Sequence, residues 1–240
     1  MVGDRLAVVL GSSFESSPFD GGGAVEQVVA GTGGGMARVA LVDHGGFVVL
    51  RRHGLDGRVP AHRVDHEAHV RALCAVGCDR VLAIGSAGGL QAELGPGTVA
   101  CPDDLFALGT YPTFHHTTDG YAMPGFDAAF RAEVLAAWAL GGRPVVDGGT
   151  YAQVRGPRFE TPAEVRHLAA FADLVGMTLA AECFLATEAG LAHAALVKVD
   201  NLANGLAAAP LRVSDYLEAA AEDAPAFGAA VVELVAALTH

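Results

Sequence analysis

Val81-Leu82-Ala83-Ile84 runs directly into Gly85-Ser86-Ala87-Gly88-Gly89. Four apolar residues closed off by glycine read as a short strand buried on both faces. The small residues after it read as a loop whose backbone a ligand can approach closely. The pattern recurs: Leu6–Leu10 ends in Gly11-Ser12-Ser13, Phe47–Leu50 in Arg51-Arg52-His53-Gly54, and Ala194–Val199 in Asp200-Asn201. Between these runs lie stretches of helical spacing. His62–Gly77 has apolar residues at helical spacing, Val64, Ala68, Leu73 and Val76, and ends at a glycine. Thr161-Pro162-Ala163-Glu164 has an N-cap Thr, a first-turn Pro and a Glu three residues on. A strand at Leu174–Thr178 leads into a helix at Glu182–Ala189, and Ser214–Leu238 reads as a long Ala-rich helix with Pro225 as a candidate break. Residues 13–35 and 108–124, rich in small and polar residues, read as loops. Strands alternating with helices predict an α/β fold: a single-domain three-layer sandwich over residues 1–240. Its central sheet is expected to be mixed but mainly parallel and flanked by helices.

The chain has 240 residues, 52% of them hydrophobic and 18% charged, enough apolar material for a sizeable core. A net charge of −12 repels nucleic acid and argues against a DNA- or RNA-binding role. Cys74, Cys78, Cys101 and Cys183 match no zinc spacing and read as thiols of a reducing compartment. The opening Met1–Gly11 passes from a short apolar run into a glycine turn rather than a signal peptide. No apolar stretch approaches the roughly 20 residues of a membrane span. A cytoplasmic protein with no metal site is expected.

Ligands of such sheets gather where strands end. Gly11-Ser12-Ser13 offers backbone N–H groups and a hydroxyl to an anion, or is an ordinary turn. Ser13 and Glu15 break the glycine pattern of dinucleotide sites. Arg51-Arg52-His53 offers a planar fork suited to phosphate, or is a solvated cluster. Phe159-Glu160, just before a helix start, can stack on a planar base and accept from a ring N–H; alternatively the Phe is core and the Glu serves the helix dipole. Asn201, at a strand end, both donates and accepts, which suits a purine edge.

In order and together, these segments resemble the trimeric purine nucleoside phosphorylase and methylthioadenosine phosphorylase family. The most specific part is Gly156-Pro157-Arg158-Phe159-Glu160-Thr161, then Val175-Gly176-Met177-Thr178, then Asn201. The resemblance implies the nucleoside phosphorylase fold, a homotrimer, and a small purine nucleoside and inorganic phosphate as co-substrates, with no cofactor. It assigns phosphate binding to Ser12, Arg52, His53, Ser86 and Thr178. It assigns the base to Phe159, Glu160 and Asn201, and the sugar to Met177. Tyr121 matches an aromatic lent to a neighbouring subunit's site. Catalysis would fall to Asn201, Glu160 and His53. A hydrolase of the same superfamily and a non-catalytic nucleoside-binding relative are the rival readings.

Two positions bear on substrate. Glu160 favours a 6-oxopurine, whose N1–H it can accept. Asp200, where the family often has Thr, would favour a 6-aminopurine if it turned inward. Val213 aligns with the position that reads the 5′ substituent, and an apolar residue there suits a 5′-methylthio group. Together these imply 5′-methylthioinosine, then inosine or guanosine, with 5′-methylthioadenosine as the alternative. Asp65-His66-Glu67-Ala68-His69, Gly85 and Ala181 depart from the family pattern.

Overall fold

The computed structural model describes residues 5–12, 14, 17–19, 21–109, 111–117, 120–207 and 211–240, the side chains of 213 and 215–223 excepted. In chain order the elements are β1 (Leu6–Leu10), β2 (Gly23–Ala30), β3 (Met36–Asp43), β4 (Phe47–Arg51), α1 (His66–Ala75), β5 (Arg80–Gly89), β6 (Val99–Cys101), β7 (Asp104–Phe106), α2 (Ala128–Ala139), β8 (Val146–Asp147), β9 (Thr150–Gln153), α3 (Pro162–Leu168), β10 (Leu174–Gly176), α4 (Leu179–Glu188), β11 (Ala192–Leu202) and α5 (Val213–Leu238).

The wholly buried β1 lies between β4 and β5, parallel to both, with Val8 opposite Val49 on one side and Leu82 on the other. β11 runs parallel along the other edge of β5. Where β1 ends, β10 takes over its place beside β5, antiparallel at Gly88 and Gly89, and β9 and β7 continue outward from β10. The antiparallel hairpin of β2 and β3 extends the sheet beyond β4. The sheet is therefore mixed and mainly parallel, as the sequence predicts.

Period-2 alternation splits the apolar strand residues between two faces. Leu6, Val8, Leu10, Leu82, Ile84 and Leu196 pack on Phe130, Val134 and Trp138 of α2 and on Phe227, Val231 and Leu234 of α5. Ala7, Val9, Val48, Leu50 and Val81 pack on Ala68, Ala72 and Leu73 of α1 and on Leu185 and Ala186 of α4. Helices thus cover both faces, giving three layers. Among the described residues no helix is long and apolar enough to cross a membrane.

Several expected boundaries shift. Gly85–Gly89 is not a loop but the second half of β5, held by β11 and β10 on its two edges. Glycine is required there by close approach: a Cβ on Gly89 would lie 2.1 Å from the Leu94 carbonyl oxygen. Asp200 and Asn201 likewise lie inside β11, and Asp200 is the bulged residue where the register steps from Val199–Ala87 to Asn201–Gly88. Residues 13–35 contain β2, an edge strand whose alternate side chains are exposed. Residues 62–65 precede α1, because Asp65 caps it by accepting from the Ala68 N–H at 2.9 Å. α4 begins three residues before Glu182. α5 continues through Pro225, which removes one backbone donor without ending the helix. Cys78, Cys101 and Cys183 are buried thiols, whereas Cys74 is exposed.

Candidate functional site

Because β1, β4 and β5 are parallel neighbours, the residues that follow or finish them arrive at one sheet edge. Gly11 N donates to the Ile84 carbonyl at 2.8 Å and Arg52 N to the Leu10 carbonyl at 2.9 Å. The hydroxyls of Ser12 and Ser86, far apart in sequence, meet at 3.3 Å. Gly11 has no room for a side chain: its Cβ would sit 2.5 Å from Arg52 Nη1. The glycine after β1 is what lets the guanidinium lie across the strand ends.

Arg52 is buried, and it does not offer a free fork. Its Nε and Nη2 donate to the two carboxylate oxygens of Glu182 on α4, the latter at 2.9 Å, and Nη1 donates to the Ile84 carbonyl at 3.3 Å. Three of the five guanidinium N–H groups are thereby used. Burial opposes the charge on Glu182, but the adjacent guanidinium prevails and holds its carboxyl at about 2. Two further buried rings flank this carboxylate, His66 Nδ1 at 3.9 Å and His193 Nε2 at 4.0 Å. Burial holds both imidazoles at about 4, and the nearby His69 likewise, so all three are neutral at neutral pH. His53 is pushed below its usual range by burial and by the charge of Arg52. Its Nδ1 lies 2.8 Å from the Val59 carbonyl, which can only accept. The ring proton therefore belongs on Nδ1, and Nε2 keeps its lone pair.

The second part of the site is built on β9, β10 and β11. Thr161 caps α3 in a full capping box with Glu164, as its sequence predicts. Arg158 is held by the same Glu164 at 2.7 Å through both terminal nitrogens. This fixes the turn that carries Phe159, half-buried, and Glu160, buried. Burial raises the Glu160 carboxyl above its ordinary range. The Glu160 backbone carbonyl accepts from Asn204 Nδ2 at 3.0 Å, tying this turn to the end of β11. Met177 packs on Gly156: a Cβ there would lie 2.4 Å from its sulfur. Asn201 pairs in register with Gly88, two residues beyond Ser86, and its Nδ2 donates to the Leu202 carbonyl at 2.8 Å. Asp200 is buried and its carboxylate lies 3.2 Å from Lys198 Nζ, itself buried.

The structure thus gathers Ser12, Arg52 and Ser86 at one strand edge and connects Arg52 to α4, whose first residues follow Met177 and Thr178. It does not bring Tyr121 to them. That ring is 92% exposed and lines a 290 Å³ cavity with Tyr111, Phe184 and Glu188. The side chain of Val213 lies outside the described residues; its backbone opens α5. Sequence reading missed the partners. Glu182 was visible as the one acid in the apolar run Leu179–Ala186, and Lys198 as the one Lys or Arg inside β11. His193 carried no comparable signal.

Comparisons with known proteins bear on the family and the fold. A model described as "Phosphorylase superfamily" matches residues 5–236. A protein of Archaeoglobus fulgidus named "Probable 6-oxopurine nucleoside phosphorylase" is 36% identical over 188 residues, 78% of this chain and 77% of that one. A protein of Xanthomonas campestris pv. campestris named "Probable S-methyl-5'-thioinosine phosphorylase" is 37% identical over 186 residues, 73% of each. Among solved structures, methylthioadenosine phosphorylase from Schistosoma mansoni in complex with adenine superposes with a TM-score of 0.83 at 25% identity, covering 97% of this chain and 90% of that one.

Proposed function

The chain belongs to the phosphorylase superfamily, and on that premise we propose that it cleaves a purine nucleoside with inorganic phosphate, releasing the base and a ribose 1-phosphate. The observation that carries the phosphate half is the convergence of Ser12, Arg52 and Ser86 at one strand edge in a chain of net charge −12. Hydroxyls and the remaining guanidinium N–H groups form an anion site that a water nucleophile would not need. Thr178 and His53 complete it in this reading. His53, neutral with Nε2 as acceptor, is suited to take a hydrogen bond from a protonated phosphate oxygen.

Phosphate attacks the anomeric carbon as the glycosidic bond stretches. The sugar becomes cationic beside the phosphate, and the leaving base gains negative charge. Asn201 donates to that base and Glu160 accepts from its ring N–H, in bonds that strengthen as the charge develops. Phe159 stacks on the ring and Met177 lies beneath the sugar. Much of the acceleration is positional.

Asp200 supports a 6-oxopurine. Its carboxylate faces the Lys198 ammonium within the strand, so Asn201 and Glu160 are left to read the base. With an apolar residue at 213, 5′-methylthioinosine is the preferred substrate and inosine or guanosine the next. The relatives named for 6-oxopurine and methylthioinosine substrates favour the same choice, whereas the Schistosoma structure keeps methylthioadenosine as the second reading. We read residues 1–240 as one domain of a cytoplasmic homotrimer in which Tyr121, so exposed here, reaches a neighbouring subunit's site.

Base release from methylthioinosine, inosine and methylthioadenosine, each with and without phosphate, tests this. Phosphate-dependent release with methylthioinosine fastest is expected. Preference for methylthioadenosine would overturn the role given to Glu160, and release without phosphate would indicate a hydrolase.

A further inference from the structure

An α-helix leaves its first N–H groups without partners, and a Thr at the N-cap ordinarily satisfies them by turning its hydroxyl back onto the second or third helical residue. Thr178 occupies the N-cap of α4 and makes no such bond. Its φ of −138° and ψ of −33° depart from the extended conformation usual for a capping residue. The amides it would serve are taken by another residue: the Ala180 and Ala181 N–H groups both donate to Gln153 Oε1, at 2.6 and 3.1 Å. The Thr178 and Leu179 amides lie near the buried hydroxyl of Tyr151. Tyr151 and Gln153 alternate along β9, so both side chains leave the same face, and β9 pairs directly with β10, the strand that feeds α4.

We infer that Gln153 is a positioning residue for phosphate: by capping α4 in place of Thr178, it releases the Thr178 hydroxyl to the co-substrate. The inference rests on the reading of Thr178 as a phosphate ligand. Gln153 touches neither reacting group. It acts by removing the competing demand on a hydroxyl that has one place to go at a time. Without the Gln153 amide, two buried-edge N–H groups need an acceptor, and the nearest candidate is the N-cap hydroxyl itself. Rotating Thr178 toward the extended capping conformation then withdraws that hydroxyl from the ligand.

The test is a double-mutant cycle read as the KM for inorganic phosphate at saturating nucleoside, with kcat and nucleoside KM followed in parallel. In the native background Thr178→Val should raise the phosphate KM about 10- to 100-fold, the scale of one hydrogen bond to a charged group. Gln153→Met should raise it comparably while changing the nucleoside KM by no more than about twofold. Adding Thr178→Val to Gln153→Met should then cost less than about threefold more. Gln153→Glu keeps an acceptor for the helix, so in that background Thr178→Val should retain most of its effect. Gln153→Asn, a methylene shorter, replaces Gln153→Met if the latter does not fold. Effects of Gln153→Met and Thr178→Val that multiply in full would overturn the inference, since a residue with a merely structural role would act independently of the hydroxyl. A native background in which Thr178→Val leaves the phosphate KM unchanged would overturn the ligand reading itself, and is distinguishable from the first failure.

Discussion

Arg52 and Glu182, 130 residues apart, form a buried ion pair in which two guanidinium nitrogens meet the two oxygens of one carboxylate. The pair ties the end of β4 to α4 across the face that the site occupies. Attraction in this dry setting must offset the desolvation of both groups, and removing one partner leaves the other uncompensated. Glu182→Ala is therefore expected to lose about 3–5 kcal/mol of stability in urea denaturation, with Glu182→Gln less affected because its amide oxygen still accepts. A loss below about 1 kcal/mol for Glu182→Ala would mean that Arg52 reaches water when released.

The histidines around that pair predict a pH dependence. His66, His69 and His193 are held at about 4 by burial, against 6.5 for a free imidazole. The unfolded chain takes up these protons as pH falls through 6.5, while the folded one resists until about 4. The stability they contribute is complete above the unfolded value and declines between the two. The slope is up to about 1.4 kcal/mol per pH unit for each histidine. Glu182 works in a lower window: depressed to about 2, its contribution stands above the ordinary carboxylate range and is lost as pH falls below it. The melting temperature should therefore drop between about pH 7 and about pH 5, and His193→Gln should flatten that drop. A flat wild-type profile would refute the assignment.

Lys198 and Asp200 pose a similar problem inside β11. Lys198→Met alone leaves the buried Asp200 carboxylate without its ammonium and is expected to cost about 3–5 kcal/mol, measured by denaturation. Lys198→Met combined with Asp200→Thr removes both charges and should recover most of the loss. If the double variant is no more stable than the single one, the pair is not what compensates Asp200.

The base-reading role of Asn201 is open to kinetics. Asn201→Ala should lower kcat/KM by roughly 2–4 kcal/mol in barrier terms, the effect of one donor at a developing charge. Fully retained kcat/KM would mean that another residue stabilises the leaving base.

Much of this was legible along the chain. β1, β4 and the first half of β11 announce themselves as short apolar runs closed by polar or glycine residues, and the capping box at Thr161 is visible in four letters. The misread stretches share a cause. Gly85–Gly89 has little strand propensity of its own and is extended because β10 and β11 pair with it, a tertiary effect that no local pattern carries. β2 alternates in burial but not in residue type: Gln27 stands on its half-buried side and Val28 on its exposed side, so no period-2 pattern shows in the sequence. Arg52 was legible as a residue and not as a pair: its chemistry depends on Glu182, which sequence distance conceals. Gln153 was opaque for the same reason, since nothing in Thr150–Gln153 indicates that two of its side chains end at the N-terminus of a helix 27 residues on.

Gly176 gives the most local check on that arrangement. It stands opposite Gln153 where β9 pairs with β10, and a Cβ there would lie 2.0 Å from the Tyr151 hydroxyl oxygen and 2.7 Å from the ring carbon that bears it. The glycine is needed so that Tyr151 can cross β10 to reach the start of α4, not for any unusual backbone angle. Tyr151 is fully buried, so its ring can yield only by moving the neighbours packed on it. Gly176→Ala should accordingly cost about 1–3 kcal/mol by overpacking and shift the Tyr151 hydroxyl away from the start of α4. Adding Tyr151→Phe removes the closest atom but leaves the ring carbon in conflict, so it should restore part of the stability and not all. Stability unchanged in Gly176→Ala would show that β9 and β10 can slide apart at this point. The side chains of Tyr151 and Gln153 would then not be fixed against α4 as described.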